Sequence, residues 1–308
     1  MEKTNIFLDI ALNQIPRILG FLDNDPASKT FGCFDRGYWH YKTSDFPNSR
    51  FQEAVLVLSL AYSINAPGNR FYKSGAIKRW ALAGIEFWAR ARHRDGSTDE
   101  SYPFERHFCS TAFSAYSVTE ALLLLGEKAE LDFRNTGEFI VSHNNPDVAN
   151  QMACAASALY NIYSLTGEQK FKTGFEKKLE SLLGMQDKKG FFMEYGGFDA
   201  GYDSITLSFL AALYKKTARE PIKEAALRCI KNIAPLIEDD GYFLIECMSR
   251  KTQFLYPSGF AAFNSEILKK IEKGLQENVI LNPAWLDDRY CIPLTANYLL
   301  TQQEVGER

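Results

Sequence analysis

Five stretches of this chain, residues 54–65, 108–119, 148–167, 204–214 and 290–302, contain no Asp, Glu, Lys or Arg. Each has a length and spacing that suit a helix rather than a strand. A helix that is apolar or small on every side has to be surrounded by protein. Between them run helices charged on one face only, such as 70–92 and 168–185, which suit an outer layer half in water. Connections follow the same alternation. Passage from an uncharged helix to the next charged one is brief (66–69, 126–129, 166–168, 217–219), whereas passage back is long (23–47, 93–107, 186–200, 237–257), with 142–146 the short exception. Short turns make antiparallel helical hairpins, and successive hairpins put every long loop at one end. The pattern therefore predicts an all-α fold, an (α/α) toroid of five to six hairpins, with a loop-built face over the N-termini of the inner helices.

Helices are expected over 4–23, 48–64, 70–92, 108–125, 129–143, 147–165, 168–185, 201–216, 219–236, 257–275 and 284–303. Segment 257–275 reads as an inner helix, an outer helix or a fusion of both, so the ring is either closed or one unit short. Residues 241–257 (GYFLIECMSRKTQFLYP) read as a small inserted β-hairpin. No Pro-, Gly- or Ser-rich linker interrupts the chain, which makes 1–308 a single domain.

The formal charge of -3 offers no basic field for a phosphate backbone, which argues against nucleic acid as a partner. Residues 5–22 are apolar on one face, but Asp9, Asn13, Gln14, Pro16 and Arg17 interrupt them, so neither a signal peptide nor a spanning helix is expected. The cysteines, Cys33, Cys109, Cys154, Cys229, Cys247 and Cys291, are scattered without a CxxC pair and read as buried thiols of a reducing cytoplasm. Four histidines, none at i, i+4, and the absence of nucleotide or nucleophile motifs predict neither a metal nor a cofactor. Oligomeric state is left open.

Two short motifs carry a resemblance. QDKKGFF at 186–192 resembles the Gln-x3-Gly-x-Trp turn of terpenoid-cyclase toroids, and HRDGSTDE at 93–100 resembles the Asp-Gly-Ser turn that closes helices in α/α barrels. As an architecture, the chain resembles the toroidal catalytic domains of heparinase- and alginate-lyase-type polysaccharide lyases and of unsaturated-glucuronyl hydrolases. That resemblance implies a carbohydrate-active enzyme.

Candidate site residues concentrate in the long loops. The first carries Asp35, Arg36, Trp39, His40, Tyr41 and Arg50, a mixture of acid, base, imidazole and aromatic rings suited to a sugar. Its plain alternative is a plug, with Trp39 and Tyr41 filling the mouth and Asp35 paired to Arg36 or Arg50. The second brings Asp99, Glu100, Arg106 and His107; the two carboxylates read equally as rim or capping groups. The third places Asn150 and Gln151 in the first turn of an inner helix, behind Asp147 as its expected cap. The fourth offers Glu194, Tyr195, Tyr202 and Asp203 among glycines. Arg250, Tyr256, Asp287, Arg289 and Tyr290 are less specific.

The expected function is action on a uronate-containing oligo- or polysaccharide by lyase or hydrolase chemistry. A lyase needs a carboxylate neutraliser (Arg36, Arg106, Asn150 or Gln151) and an acid–base pair (His107, His40, Tyr195 or Tyr202). A hydrolase needs a carboxyl pair, Asp99 or Glu100 with Glu194 or Asp203. The alternatives are a non-catalytic glycan-binding or assembly protein of polysaccharide biosynthesis and a terpenoid-cyclase-like enzyme.

Overall fold

The computed structural model describes residues 5–127, 131–263 and 266–306. The expected helix starts at Thr4 and Ala129, and the middle of the expected 257–275 segment, lie outside them. Among the described residues the protein is all-helical: α1 (Ile6–Leu19), α2 (Arg36–Trp39), α3 (Ala54–Ser63), α4 (Gly75–Ala91), α5 (Phe108–Leu125), α6 (Arg134–Ser142), α7 (Ala149–Thr166), α8 (Gln169–Gly184), α9 (Ala200–Thr217), α10 (Glu220–Ile233), α11 (Ser258–Ala262), α12 (Ile267–Gln276) and α13 (Asp288–Gly306).

Contacts sort these helices into two series. α3 packs on α5, α5 on α7, α7 on α9, α9 on α11, α11 on α13, and α13 back on α3. Each of those also has a companion: α4, α6, α8, α10, α12 and α1 respectively. The first series carries the charge-free stretches, and burial explains why. In α5 only Phe108, Leu123 and Leu124 escape full burial, so a charge there would have to be desolvated. The same helix is long and apolar enough to cross a bilayer, but most of it is buried inside the protein, which accounts for its apolarity. In the companion α10, Ile222, Ala225, Ala226, Cys229, Ile230 and Ile233 form one buried stripe at helical spacing.

Small polar residues are tolerated in the uncharged helices because they bond to their own backbone. Ser114 donates to Ser110 O (2.7 Å), Thr119 to Ala115 O (2.7 Å) and Ser157 to Ala153 O (3.0 Å). Gly126 and Gly167 end α5 and α7 with φ of 64° and 73°, a left-handed turn that a side chain resists.

Two expectations are corrected here. The segment from 257, expected as one helix, holds a short α11 that packs on α9 and α13 and an α12 that packs on α1 and α11. The β-hairpin near 241–257 does not form. Pairing is confined to an isolated bridge between Ile237 and Phe243 across the Gly241 turn. Beyond it the backbone donors are claimed by α9 and the loop before it: Ser249 N–H by Phe198 O, Arg250 and Thr252 N–H by the Asp199 carboxylate, and Tyr256 N–H by Ser204 Oγ. With its donors taken from the side, the segment has no partner strand to pair with. The 186–192 turn does close tightly, with Gln186 Nε2 donating to Gly190 O and Ala225 O.

Candidate functional site

A cavity of about 240 Å³ opens where α5, α7, α9 and α13 begin. His107 stands immediately before α5, Asn150 and Gln151 lie in the first turn of α7, Tyr202 in that of α9, and Arg289 and Tyr290 in that of α13; all six line it. At three of these starts the N–H groups are already bonded to carboxyl groups, Asn150 to Glu194, Tyr202 to Asp199, and Arg289 and Tyr290 to Asp287, which offsets the partial positive charge a helix start carries. Loops complete the wall with Arg50, Glu100, Tyr195, Arg250 and Tyr256. Below lies a space of only about 30 Å³ walled by Phe113, Tyr116, Phe209 and Tyr256, with Glu53 at its edge. That volume holds no more than a water or so. The cavity therefore has a floor.

The charges inside are nearly self-cancelling. Arg50 pairs with Glu53 and lies 3.9 Å from Glu100, while Arg289 pairs with Glu100. The Arg50 guanidinium also covers the Phe113 ring at 4.2 Å. His107 Nδ1 stands 3.3 Å from Glu100 Oε2, within ion-pair range but without an aligned hydrogen bond. Burial works against the Glu100 carboxylate, yet the His107 contact and the charges of Arg50 and Arg289 outweigh it and hold its pKa at about 2. Arg250 is different. It is exposed at the rim, its guanidinium lies 4.4 Å over the Tyr195 ring, and among the described residues no carboxylate comes within ion-pair distance of it.

The tyrosines keep their protons. Burial raises Tyr202 to about 12 and also raises Tyr195, so at neutral pH both are hydroxyl donors. Cys109 lines the cavity too and accepts a hydrogen bond from Arg50, but burial raises its thiol to about 11. It is no thiolate nucleophile.

Of the residues singled out in the sequence, His107, Arg50, Glu100, Asn150, Gln151, Tyr195 and Tyr202 meet at this cavity. Glu194 and Asp203 do not reach it. Both are fully buried, and Glu194 clamps Asn150 from behind, accepting its backbone N–H and its side-chain Nδ2, each at 2.8 Å. Burial raises Glu194 to about 8 and pushes Asp203 up as well, with the neighbouring Glu194 adding to the effect. Asp203 accepts from Phe192 N–H and Cys229 Sγ.

The first-loop residues form a cluster of their own. Trp39 Nε1 donates to Phe21 O (2.7 Å), Arg36 reaches Gly20 O and lies over Tyr41, and His40 packs between Trp39 and Tyr41. Asp35 accepts N–H bonds from Tyr38 and Asn48. None of these five lines the central cavity. Asp99 and Arg106 are turned away from it as well: Asp99 accepts from His93 Nε2 and from the N–H groups of Phe104 and Arg106, while Arg106 pairs with Asp95 at 2.7 Å. Asp147 does not cap α7, whose first N–H instead goes to Met193 O.

Sequence reasoning passed over Cys109, Phe113, Ile205, Phe254 and Pro293 as lining residues. All six cysteines are free thiols; Cys247 is exposed, in contrast to the expectation of burial throughout. No protein-family model, curated protein or solved structure matches this chain.

Proposed function

We propose that the two series of helices make a closed (α/α) toroid, and that its cavity holds the end of a uronate-containing oligosaccharide and cleaves it by β-elimination. One observation carries the reading: Arg250 is an uncompensated guanidinium at the mouth of a cavity whose other ion pairs are internal. A single carboxylate on the ligand would complete the charge balance. The volume of about 240 Å³ lies below the ~300–1,000 Å³ common for drug-sized ligands, which suits a sugar ring entering end-on.

In this scheme the uronate carboxylate rests on Arg250, with Asn150 and Gln151 offering amide hydrogens. Neutralising that carboxylate acidifies the C5 hydrogen. His107 takes the C5 proton, the C4–C5 double bond forms as the C4–O4 bond breaks, and Tyr202 gives its proton to the departing oxygen. Retro-transfer of the His107 proton through solvent to Tyr202 resets the site. Hydrolysis is less well supported, because its carboxyl candidates are spent: Glu100 is held ionised among its cations, and Glu194 and Asp203 are walled off. A charged lining likewise suits a terpenoid precursor poorly.

The test is incubation of the purified protein with alginate, heparin and pectic oligosaccharides, following ultraviolet absorbance of the unsaturated uronate and the melting temperature together. Tyr202→Phe should abolish product, and Arg250→Ala should lower kcat/KM by roughly 30- to 150-fold, the loss expected for one charge-assisted contact of about 2–3 kcal/mol. A rise in melting temperature with no absorbance would leave a glycan-binding protein and remove the lyase. No rise and no product with any of these glycans would remove the carbohydrate reading.

A further inference from the structure

A second cavity, about 360 Å³, lies between α4 and the loops at 45–49 and 98–104, and shares no lining residue with the central one. Its walls are largely Phe46, Phe87, Trp88 and Phe104 with Pro47 and Pro103. The polar groups deeper in it are already engaged. Gln52 accepts from Phe34 N–H and donates to Gly32 O and Gly84 O, Ser49 Oγ donates to Thr98 Oγ1 at 2.8 Å, and Asp99 takes the three donors named above. What remains for a ligand inside is apolar surface.

The mouth is different in character. Asp45 is exposed there, and among the described residues it has no ion-pair partner; neither Lys nor Arg lines the cavity. His93 also lines it. Its Nε2 lies 2.9 Å from Asp99 Oδ1, so the ring is anchored to the carboxylate that also takes the Phe104 and Arg106 N–H groups. Phe104 is held outward beside it, 76% exposed, at a φ of 60° that a bulky residue adopts only at some cost. Its N–H bond to Asp99 Oδ2 (2.9 Å) fixes that posture. An exposed ring pinned at the lip of an aromatic cavity adds to the apolar surface a ligand would cover.

We propose that this cavity is a second binding site, for a small molecule with an aromatic body and an ammonium group that meets Asp45 at the mouth. The volume accommodates one or two rings. The site stands independently of what the central cavity does.

Benzylamine, benzyl alcohol and benzoate, titrated into the full chain by calorimetry and by tryptophan fluorescence, differ chiefly in the charge of one group and so test the assignment. Saturable binding is expected in the order benzylamine, benzyl alcohol, benzoate, with the first two about two- to five-fold apart, as for a charge pair at an exposed rim. Ala91 is exposed at the last position of α4 and lines the cavity, so Ala91→Trp should block all three. Asp45→Asn, on the surface and without partners to lose, should erase the preference for benzylamine over benzyl alcohol. The proposal is overturned by absence of saturable binding, by binding undiminished in Ala91→Trp, by benzoate binding as well as benzylamine, or by a preference unchanged in Asp45→Asn.

Discussion

Glu194 is a carboxyl with no exposed surface, and replacing it with glutamine should change how the stability of the protein depends on pH. Its folded pKa of about 8 exceeds the ordinary value of 4.5, so the native state binds the proton more tightly than the unfolded chain does. For an acid shifted upward, stability is greatest below the unfolded pKa and is lost as pH rises toward the folded one. A shift of about 3.5 units corresponds to about 5 kcal/mol, of which about 4 kcal/mol falls between pH 5 and pH 9. Glutamine keeps the carbonyl that accepts the Asn150 N–H, and the Asn150 amide can turn to present its oxygen to the new Nε2. Glu194→Gln should therefore be close to wild type at pH 5 and more stable than it at pH 9. Urea unfolding midpoints of both proteins at pH 5, 7 and 9 give the difference directly; groups remote from Glu194 cancel in it, while Asp203, which the Glu194 charge pushes up, is relieved in the variant and adds to the gain at pH 9. A difference that stays constant within about 0.5 kcal/mol across that range would refute the assignment of a proton to this buried acid.

Glu100 should behave in the opposite sense. Its folded pKa of about 2 lies below 4.5, so its contribution, about 3 kcal/mol near neutrality, is present above pH 4.5 and is lost as pH falls toward 2. Glu100→Gln should cost at least that at pH 7 in urea unfolding, with the gap to wild type narrowing by more than half at pH 3. A gap independent of pH would show that the ion pairs with Arg50 and Arg289 contribute no net stability. Gly96→Ala should be more damaging than its size suggests: φ is 82°, and an added Cβ would fall 2.1 Å from Thr136 N. Losses above about 3 kcal/mol in the same assay are expected, and a loss under about 1 kcal/mol would mean the Gly96 turn separates easily from the start of α6.

The helices were legible because charge is expensive to bury. Phe108–Leu125 has no Lys or Arg and a single acid, Glu120, near its far end, and that alone marks it as surrounded. The junctions were legible for the same reason, since the first polar residues before and after an uncharged helix start have to sit at its mouth; His107, Asn150, Gln151 and Tyr202 do. Which face of such a helix meets the cavity was not legible. With no polar side to orient it, nothing in the pattern distinguishes Phe113 or Ile205 from its neighbours. The first loop misled because a run of aromatic and charged residues can satisfy itself: the Trp39 N–H is answered by Phe21 O, a partner set only by how the end of α1 meets the loop. Glu194 misled for another reason, since polarity was taken as a sign of exposure and this carboxyl instead braces Asn150 from the interior.

Asp99 and Glu100 show how closely such readings depend on backbone direction. They are adjacent, chemically alike and equally plausible in the sequence as site acids or rim groups. In an extended stretch, successive side chains point to opposite sides. Asp99 faces outward from the central cavity, where its carboxylate gathers His93 and the N–H groups of Phe104 and Arg106, two residues with φ of 60° and 50°. Glu100 faces inward to Arg289, Arg50 and His107. One carboxylate shapes the loop and the other shapes the cavity, so a one-residue slip here would exchange the two roles and leave Arg289 without its partner. The tight bonds that Asp99 makes to the strained loop are thus what hold Glu100 in register with its cations.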